Sequence, residues 1–369
     1  MSLKIVSKPG CGRITITRSV IEPGIRLLKS KTSALVLYGQ HADSRCHYCT
    51  QPLEKDRITC EKCGFVRYCS EQCQKNDILH KPAECAAIIE WPGFAFDADT
   101  RCAIRILTQI SIEQKLGQQS AQMIPADGES EFIYSEDYNS KTPTAIDVLL
   151  LAGNNEFDET QNESQRRFVS RVIFGIIVKS LPLYASKPLL PQFMKHTNRY
   201  KPNPDNEMQV INESQQNTIQ ENEEPDSPRI LNGDDYVNLL DAVLCIVERN
   251  AFTVRPELGF SVNPSASLVN HSCAPTASFL NSGVNKRPVS QEQLQLQLQG
   301  QQQLNPPSQP QVELASICKI PPNEELSINY MPLAIHVFMQ EMRDVQKYAT
   351  IVGLLSDIQR EGEEVEIED

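Results

Sequence analysis

The sequence predicts an α+β chain: small sheets near its two ends enclose a cysteine-rich block and a helical stretch. Three observations carry this expectation. Short alternating runs with turn residues cluster in residues 1–45 and again in 251–331, helical-period apolar stripes lie between them, and seven cysteines with His80 crowd into residues 46–85.

In chain order, Gly12-Arg-Ile-Thr-Ile-Thr-Arg18 alternates, Glu22-Pro-Gly24 turns, and Ile25–Tyr38 carries Leu27-Leu28 and Ala34-Leu-Val-Leu-Tyr38. Residues 1–45 thus read as a small antiparallel unit with a Pro-Gly turn. These strands stop where Cys46 begins, so the next block is either a second domain or an insertion within a β domain.

That block runs Cys46-His-Tyr-Cys49, Cys60-Glu-Lys-Cys63, Cys69-Ser-Glu-Gln-Cys73, then His80 and Cys85. Close cysteine pairs let one turn offer two thiolates to the same tetrahedral ion, and eight donors imply two zinc ions. A disulfide scaffold fits poorly, because Met1–Gly10 lacks the apolar run of a secretion signal and paired cysteines in an intracellular chain are usually metal ligands. His47, between two ligands, is expected at the surface. Of the twelve cysteines, Cys11, Cys102, Cys245, Cys273 and Cys318 lie outside the block and are too scattered for a framework. A reducing compartment follows, nuclear or cytoplasmic.

Residues 86–250 read as a helical insert. Asp99 or Thr100 can cap a helix carrying Ala103, Ile106, Leu107 and Ile110 and ending at Gly117. Phe168, Val169, Val172, Ile173, Ile176 and Ile177 form a second stripe, which Pro182 ends. The stretch 203–233 is acidic and poor in apolar residues, so it is expected to form a disordered loop. A third helix runs from Asp234 to Glu248. Beyond it, strands are expected at Phe252–Val254, Ser267–Val269, Ala277–Leu280, Val312–Ile317 and Leu326–Tyr330, interrupted by a Gln- and Pro-rich insertion over 283–311. Residues 332–369 read as one or two helices and an acidic tail.

Net charge is −12 and the isoelectric point is near 5.1. Direct nucleic-acid binding and attraction to anionic lipid are therefore not expected, and a basic partner such as a histone tail is favoured. The densest apolar run, Val172–Val178, is far shorter than the roughly 20 residues a membrane span needs.

The cysteine spacing, with Tyr68-Cys69 and the closing His80-Lys81, resembles a MYND zinc finger. The resemblance implies interleaved ligands: Cys46, Cys49, Cys69 and Cys73 for one zinc, and Cys60, Cys63, His80 and Cys85 for the other. One departure is visible, since the four residues between His80 and Cys85 are one more than the family usually has. Further on, Arg249-Asn-Ala-Phe-Thr-Val254, Ser267-Leu-Val-Asn-His-Ser-Cys-Ala-Pro275 and Glu324-Glu-Leu-Ser-Ile-Asn-Tyr330 resemble the core motifs of a SET domain. Gly10-Cys11-Gly12 and the strands after it resemble the SET N-terminal segment. Together residues 8–331 are similar to the SET and MYND domain family of lysine methyltransferases.

This resemblance implies a SET β fold whose segments cross as a pseudoknot, an exception to the rule against threaded chains, interrupted by the finger and the helical insert. It implies S-adenosylmethionine as cofactor and a histone or other protein lysine as substrate. By resemblance, the main chain of Asn270 and His271 binds the adenine, Ser267 and Val269 line it, and Asn250 meets the amino-acid end. Gly10, Cys11 and Gly12 allow close backbone approach, and Tyr330, also at the cofactor, is the catalytic tyrosine. The finger would bind proline-containing peptides. Thr276 stands where the family continues with Asn, and no cysteine follows Cys318, where the family has a post-SET zinc segment. The alternative function is a non-catalytic peptide-binding scaffold or transcriptional co-regulator with a degenerate SET domain. A DNA-binding zinc protein, a third reading, is disfavoured by the charge.

Overall fold

Alternation at the start of the chain makes a strand that sequence reading left unassigned: in β1 (Leu3–Lys8), Leu3 and Ile5 are buried while Ser7 and Lys8 are exposed. It pairs antiparallel with β2 (Gly12–Thr17), Leu3 opposite Thr17 and Lys8 opposite Gly12. The computed structural model describes residues 3–8, 12–93, 97–115, 132–133, 142–151, 161–185, 229–231, 233–254, 258–280 and 308–329. Gly10, Cys11, Tyr330 and the expected C-terminal helices and tail over 332–369 lie outside the described residues.

After the turn at Gly24, which has φ +81°, the expected local β unit does not form. Instead β3 (Arg26–Ser30) pairs with β14 (Val312–Ser316), and β4 (Ala34–Leu37) pairs with β11 (Gly259–Val262). The reason is burial: all four residues of β4 are buried, as are the consecutive Leu27 and Leu28, so neither strand could leave a face to solvent in a hairpin. Gly259 permits the close β11–β4 approach, since a Cβ there would collide with the Val36 carbonyl oxygen. The sheets are completed by β10 (Ala251–Thr253) beside β11 and β13 (Ala277–Leu280) beside β14. Bridges join Ile16 to Glu325 and Ile21 to Ile320. Strands preceding residue 46 and following residue 250 thus form one β body, with the intervening chain inserted into it.

The strand expected at Ser267–Val269 is a 3-10 turn over Ala266–Leu268, because the Asn263 carbonyl accepts hydrogen bonds from Ala266 N at 3.0 Å and Ser267 N at 3.1 Å. The turn leads into β12 (Asn270–His271), which runs parallel to β15 (Ser327–Ile328).

Among the helices, α3 (Ala98–Lys115) starts before the expected caps: the Asp97 carboxylate accepts from Thr100 N at 3.2 Å. It packs against β4 and α6 (Gly233–Asn250). In α5 (Gln161–Ile177) the inward residues are Ser170, Ile173 and Ile177, and Phe168, expected in the core stripe, is 65% exposed. Phe174 meets Tyr236 of α6 with ring centroids 5.3 Å apart. Two expected loop ends are ordered: β8 (Tyr184–Ala185) pairs with β9 (Arg229–Ile230), and Thr32 Oγ1 donates to the Pro310 carbonyl at 2.6 Å. Among the described residues, no helix is long and apolar enough to cross a membrane.

Candidate metal centre and cofactor region

The pairs Cys46/Cys49 and Cys60/Cys63 each sit on a tight turn. Thr50 N donates to Cys46 O at 2.8 Å and Gly64 N to Cys60 O at 2.9 Å, so both sulfurs of each turn face one way. The hairpin of β5 (Ile58–Thr59) and β6 (Arg67–Tyr68) leads to α1 (Glu71–Asn76), whose cap, Ser70, accepts from Cys73 N. Two donor sets result, Cys46, Cys49, Cys69, Cys73 and Cys60, Cys63, His80, Cys85, each with all ligand atoms within 4.8 Å of one another. Cys49 and Cys69 sulfurs are 3.5 Å apart, Cys60 and Cys85 sulfurs 3.7 Å, and Cys63 Sγ and His80 Nε2 3.6 Å. A tetrahedral zinc about 2.3 Å from each sulfur would set such pairs about 3.8 Å apart, so both donor sets fit the ion. Four protein donors close each site, as in structural rather than catalytic zinc centres.

The additional residue between His80 and Cys85 is absorbed by the backbone. His80–Glu84 form a π-helical turn in which Cys85 N bonds to His80 O, widening one turn by a residue before α2 (Cys85–Glu90) begins.

Behind the His80 centre lies a buried ionic network. His80 turns Nε2 to the sulfurs and Nδ1 to Glu84 Oε2, 2.9 Å away. Glu84 Oε1 accepts from Arg101 Nε at 2.8 Å and Oε2 from Arg105 Nε at 2.9 Å, while Arg105 donates to both Asp77 oxygens at 3.0 and 3.1 Å. Tyr68 Oη donates to Asp77 Oδ2 at 3.0 Å, and Arg101 Nη1 donates to Leu37 O of β4 at 3.0 Å. Burial pushes the Glu84 carboxyl up, but Arg105, Arg101 and His80 outweigh it and hold the group well below the usual carboxylate range. Sequence reading missed Asp77, Glu84, Arg101 and Arg105. The available signal was Arg101 and Arg105, four apart and flanked by Cys102, Ala103, Ile104, Ile106 and Leu107.

His47 is not at the surface as expected. It is fully enclosed, accepts from Arg67 N at Nδ1 at 3.1 Å and packs edge-on to Phe65. Burial, with Arg101 nearby, lowers its imidazole to about 3, so it is neutral.

At the other candidate region, Asn270 Nδ2 donates to Glu325 Oε1 at 2.9 Å, and the Lys8 ammonium lies 3.5 Å from Glu325 Oε2. The end of β1, just before β2 starts at Gly12, is thereby tied to Asn270. Ser267 Oγ donates to Asn250 O at 3.3 Å and to Asn263 O at 3.2 Å, while the Asn250 side chain turns back to Ile246 O at 2.9 Å. Val269 is buried; His271 is exposed, its Nε2 3.6 Å from Cys273 Sγ. Ser272 N bonds to Ile328 O, so in this parallel ladder the main-chain groups of His271 face away from β15. Thr276, in place of the expected Asn, still ties the strands: its Oγ1 accepts from Ser327 N at 2.9 Å.

Residues 46–85 match the family described as the MYND finger. A SET and MYND domain-containing protein of Dictyostelium discoideum is 23% identical over 301 residues, spanning 77% of this chain and 69% of that protein.

Proposed function

We propose that this SET-and-MYND-like chain is an S-adenosylmethionine-dependent protein-lysine methyltransferase, acting on a histone or another basic protein segment. The observation that carries the reading is the Lys8–Glu325–Asn270 chain of contacts, which ties the end of β1 to β12. Gly10, Cys11 and Gly12 follow β1 closely in the sequence, so this contact supports assigning them and the Asn270–His271 segment to one cofactor. The exposed residue His271 suits the adenine edge, the Ser267–Asn250 bond suits a wall beside it, and buried Val269 suits an apolar lining.

When bound, S-adenosylmethionine would supply an electrophilic sulfonium methyl: the neutral lysine nitrogen would bond to that carbon, the carbon–sulfur bond would break to release the thioether, and the methylated amine would lose a proton to solvent. The protein's task is to hold that amine in line, deprotonated and away from water. Tyr330, following β15 closely, is assigned to align the amine through its hydroxyl. Both zinc ions serve structure: Cys46, Cys49, Cys69 and Cys73 hold one, and Cys60, Cys63, His80 and Cys85 the other.

Calorimetric titration with S-adenosylmethionine, together with transfer of a labelled methyl group to histones and cell-extract proteins, tests the reading. Binding and transfer are expected, with Tyr330→Phe retaining binding and losing most of the transfer. A wild-type chain that does neither overturns the enzyme. The second reading, a peptide-binding scaffold, then stands on the exposed apolar side chains of Ile89 and Trp91, just beyond the finger.

A further inference from the structure

Among the described residues, the Glu84 network joins side chains of the finger to two arginines of the inserted helix and to a carbonyl of the β body. Glu84, Asp77 and Tyr68 come from the finger, Arg101 and Arg105 from α3, and the Leu37 carbonyl from β4. All the side chains are buried. Such a network is stable only while each member keeps its partners, because an acid or guanidinium stripped of its bonds in the interior retains its desolvation cost.

His80 is the member that a metal ion controls. Its Nε2 faces the Cys60, Cys63 and Cys85 sulfurs, so its Nδ1–H is the donor to Glu84 Oε2. A ligand imidazole held this way is fixed in tautomer and rotamer by the carboxylate behind it. The first donor set has four sulfurs and no imidazole through which a carboxylate could act. The two centres therefore differ in what lies behind them.

We propose that Glu84 is the positioning residue of the His80 metal centre, and that the ion there, acting through Glu84, fastens helix α3 and strand β4 to the finger. Loss of this ion loosens the chain well beyond residues 46–85, whereas loss of the Cys46 ion alone stays local. The proposal rests on the two-zinc reading.

Chelator titration of the purified full chain, with zinc release read by a chromogenic dye and backbone amide exchange read by mass spectrometry, tests it. Two ions per chain are expected, and release of the ion at Cys60, Cys63, His80 and Cys85 should accelerate exchange in α3. Glu84→Gln keeps the shape and removes the charge; it should weaken that site about 10–100-fold, the usual effect of losing a carboxylate behind a ligand histidine. After cobalt substitution, its absorption bands should shift for the mixed sulfur and nitrogen site and stay fixed for the all-sulfur site. Unchanged affinity and bands in Glu84→Gln overturn the proposal alone, as does α3 that stays protected after both ions have left the wild type. Should Glu84→Gln not accumulate, the wild-type chelation arm decides without it. A wild type that binds no zinc overturns the two-zinc reading itself.

Discussion

The metal centres and the Asn270 region are both built from polar side chains, but from opposite kinds of sequence. All eight metal donors fall within residues 46–85, and tight turns present Cys46 with Cys49 and Cys60 with Cys63. Around Asn270 the contacts join residues 253 apart, Thr15 to Leu268, and 317 apart, Lys8 to Glu325. A metal can gather the first arrangement from a short chain, since zinc binding supplies folding energy locally. The second exists only after the β body has closed. The Glu84 network is where the two meet: long-range in sequence, yet centred on a metal ligand.

Four substitutions separate the metal-gathered block from the closed β body. Replacing Cys60 with Ser should reduce bound zinc from two ions to one and remove most of the cooperative thermal transition, because the Glu84 network loses its fastening. A transition that persists nearly unchanged, with only the finger digested by protease, would show instead that the body is independent of the metal. Next comes Arg105→Met, which removes both guanidinium bonds to Asp77 and leaves Glu84 with Arg101; about 3–5 kcal/mol should be lost in urea unfolding. A loss under about 1 kcal/mol would mean the network behaves like a surface pair.

Glu325→Ala tests the other region. It removes a charge-assisted bond to Asn270, so about 1.5–3 kcal/mol of stability should go. The half-exposed Lys8 pair adds little to that. S-adenosylmethionine affinity should fall with it, and unchanged affinity would place the cofactor elsewhere. The smallest effect is expected from Thr276→Val, which leaves Ser327 N without its 2.9 Å partner. About 1–2 kcal/mol is the usual cost of such an unmade bond, and a stability gain would show that the hydroxyl is not needed between these strands.

Legibility followed the same division. Spacing alone exposed Cys46 through Cys85 as a metal block, because metal donors must be deprotonated, close and few. It did not expose Glu84, since one acid in a polar run carries no mark of burial. Nor did it reveal Arg101 and Arg105: Ala103, Ile106, Leu107 and Ile110 defined an apolar face on α3, leaving both arginines on a side assumed wet. The same assumption put His47 at the surface. For the β body, Ala34–Leu37 and Val312–Ser316 were readable as strands from short stretches rich in apolar residues, but their partners were not, because pairing between distant strands leaves no local trace. Ser267–Val269 failed as a strand because the Asn263 carbonyl, which holds the 3-10 turn, lies outside the alternating run that suggested one.

The closing of the β body across the inserted chain has a consequence for how the protein comes off the ribosome. Asn263 Nδ2 bonds to Ser30 O, 233 residues earlier. At a synthesis rate of about 5–20 residues per second, β3 and β4 must wait roughly 10–50 s for that side of the body to exist. Through that interval Ala34–Leu37 is an unpaired apolar edge, the kind of segment that pairs with the wrong chain. The finger, whose donors are complete once Cys85 emerges, can fold meanwhile beside this open edge. Zinc supply during synthesis would therefore govern how much of the chain reaches its native partner strand, as well as how firmly the finished protein holds together.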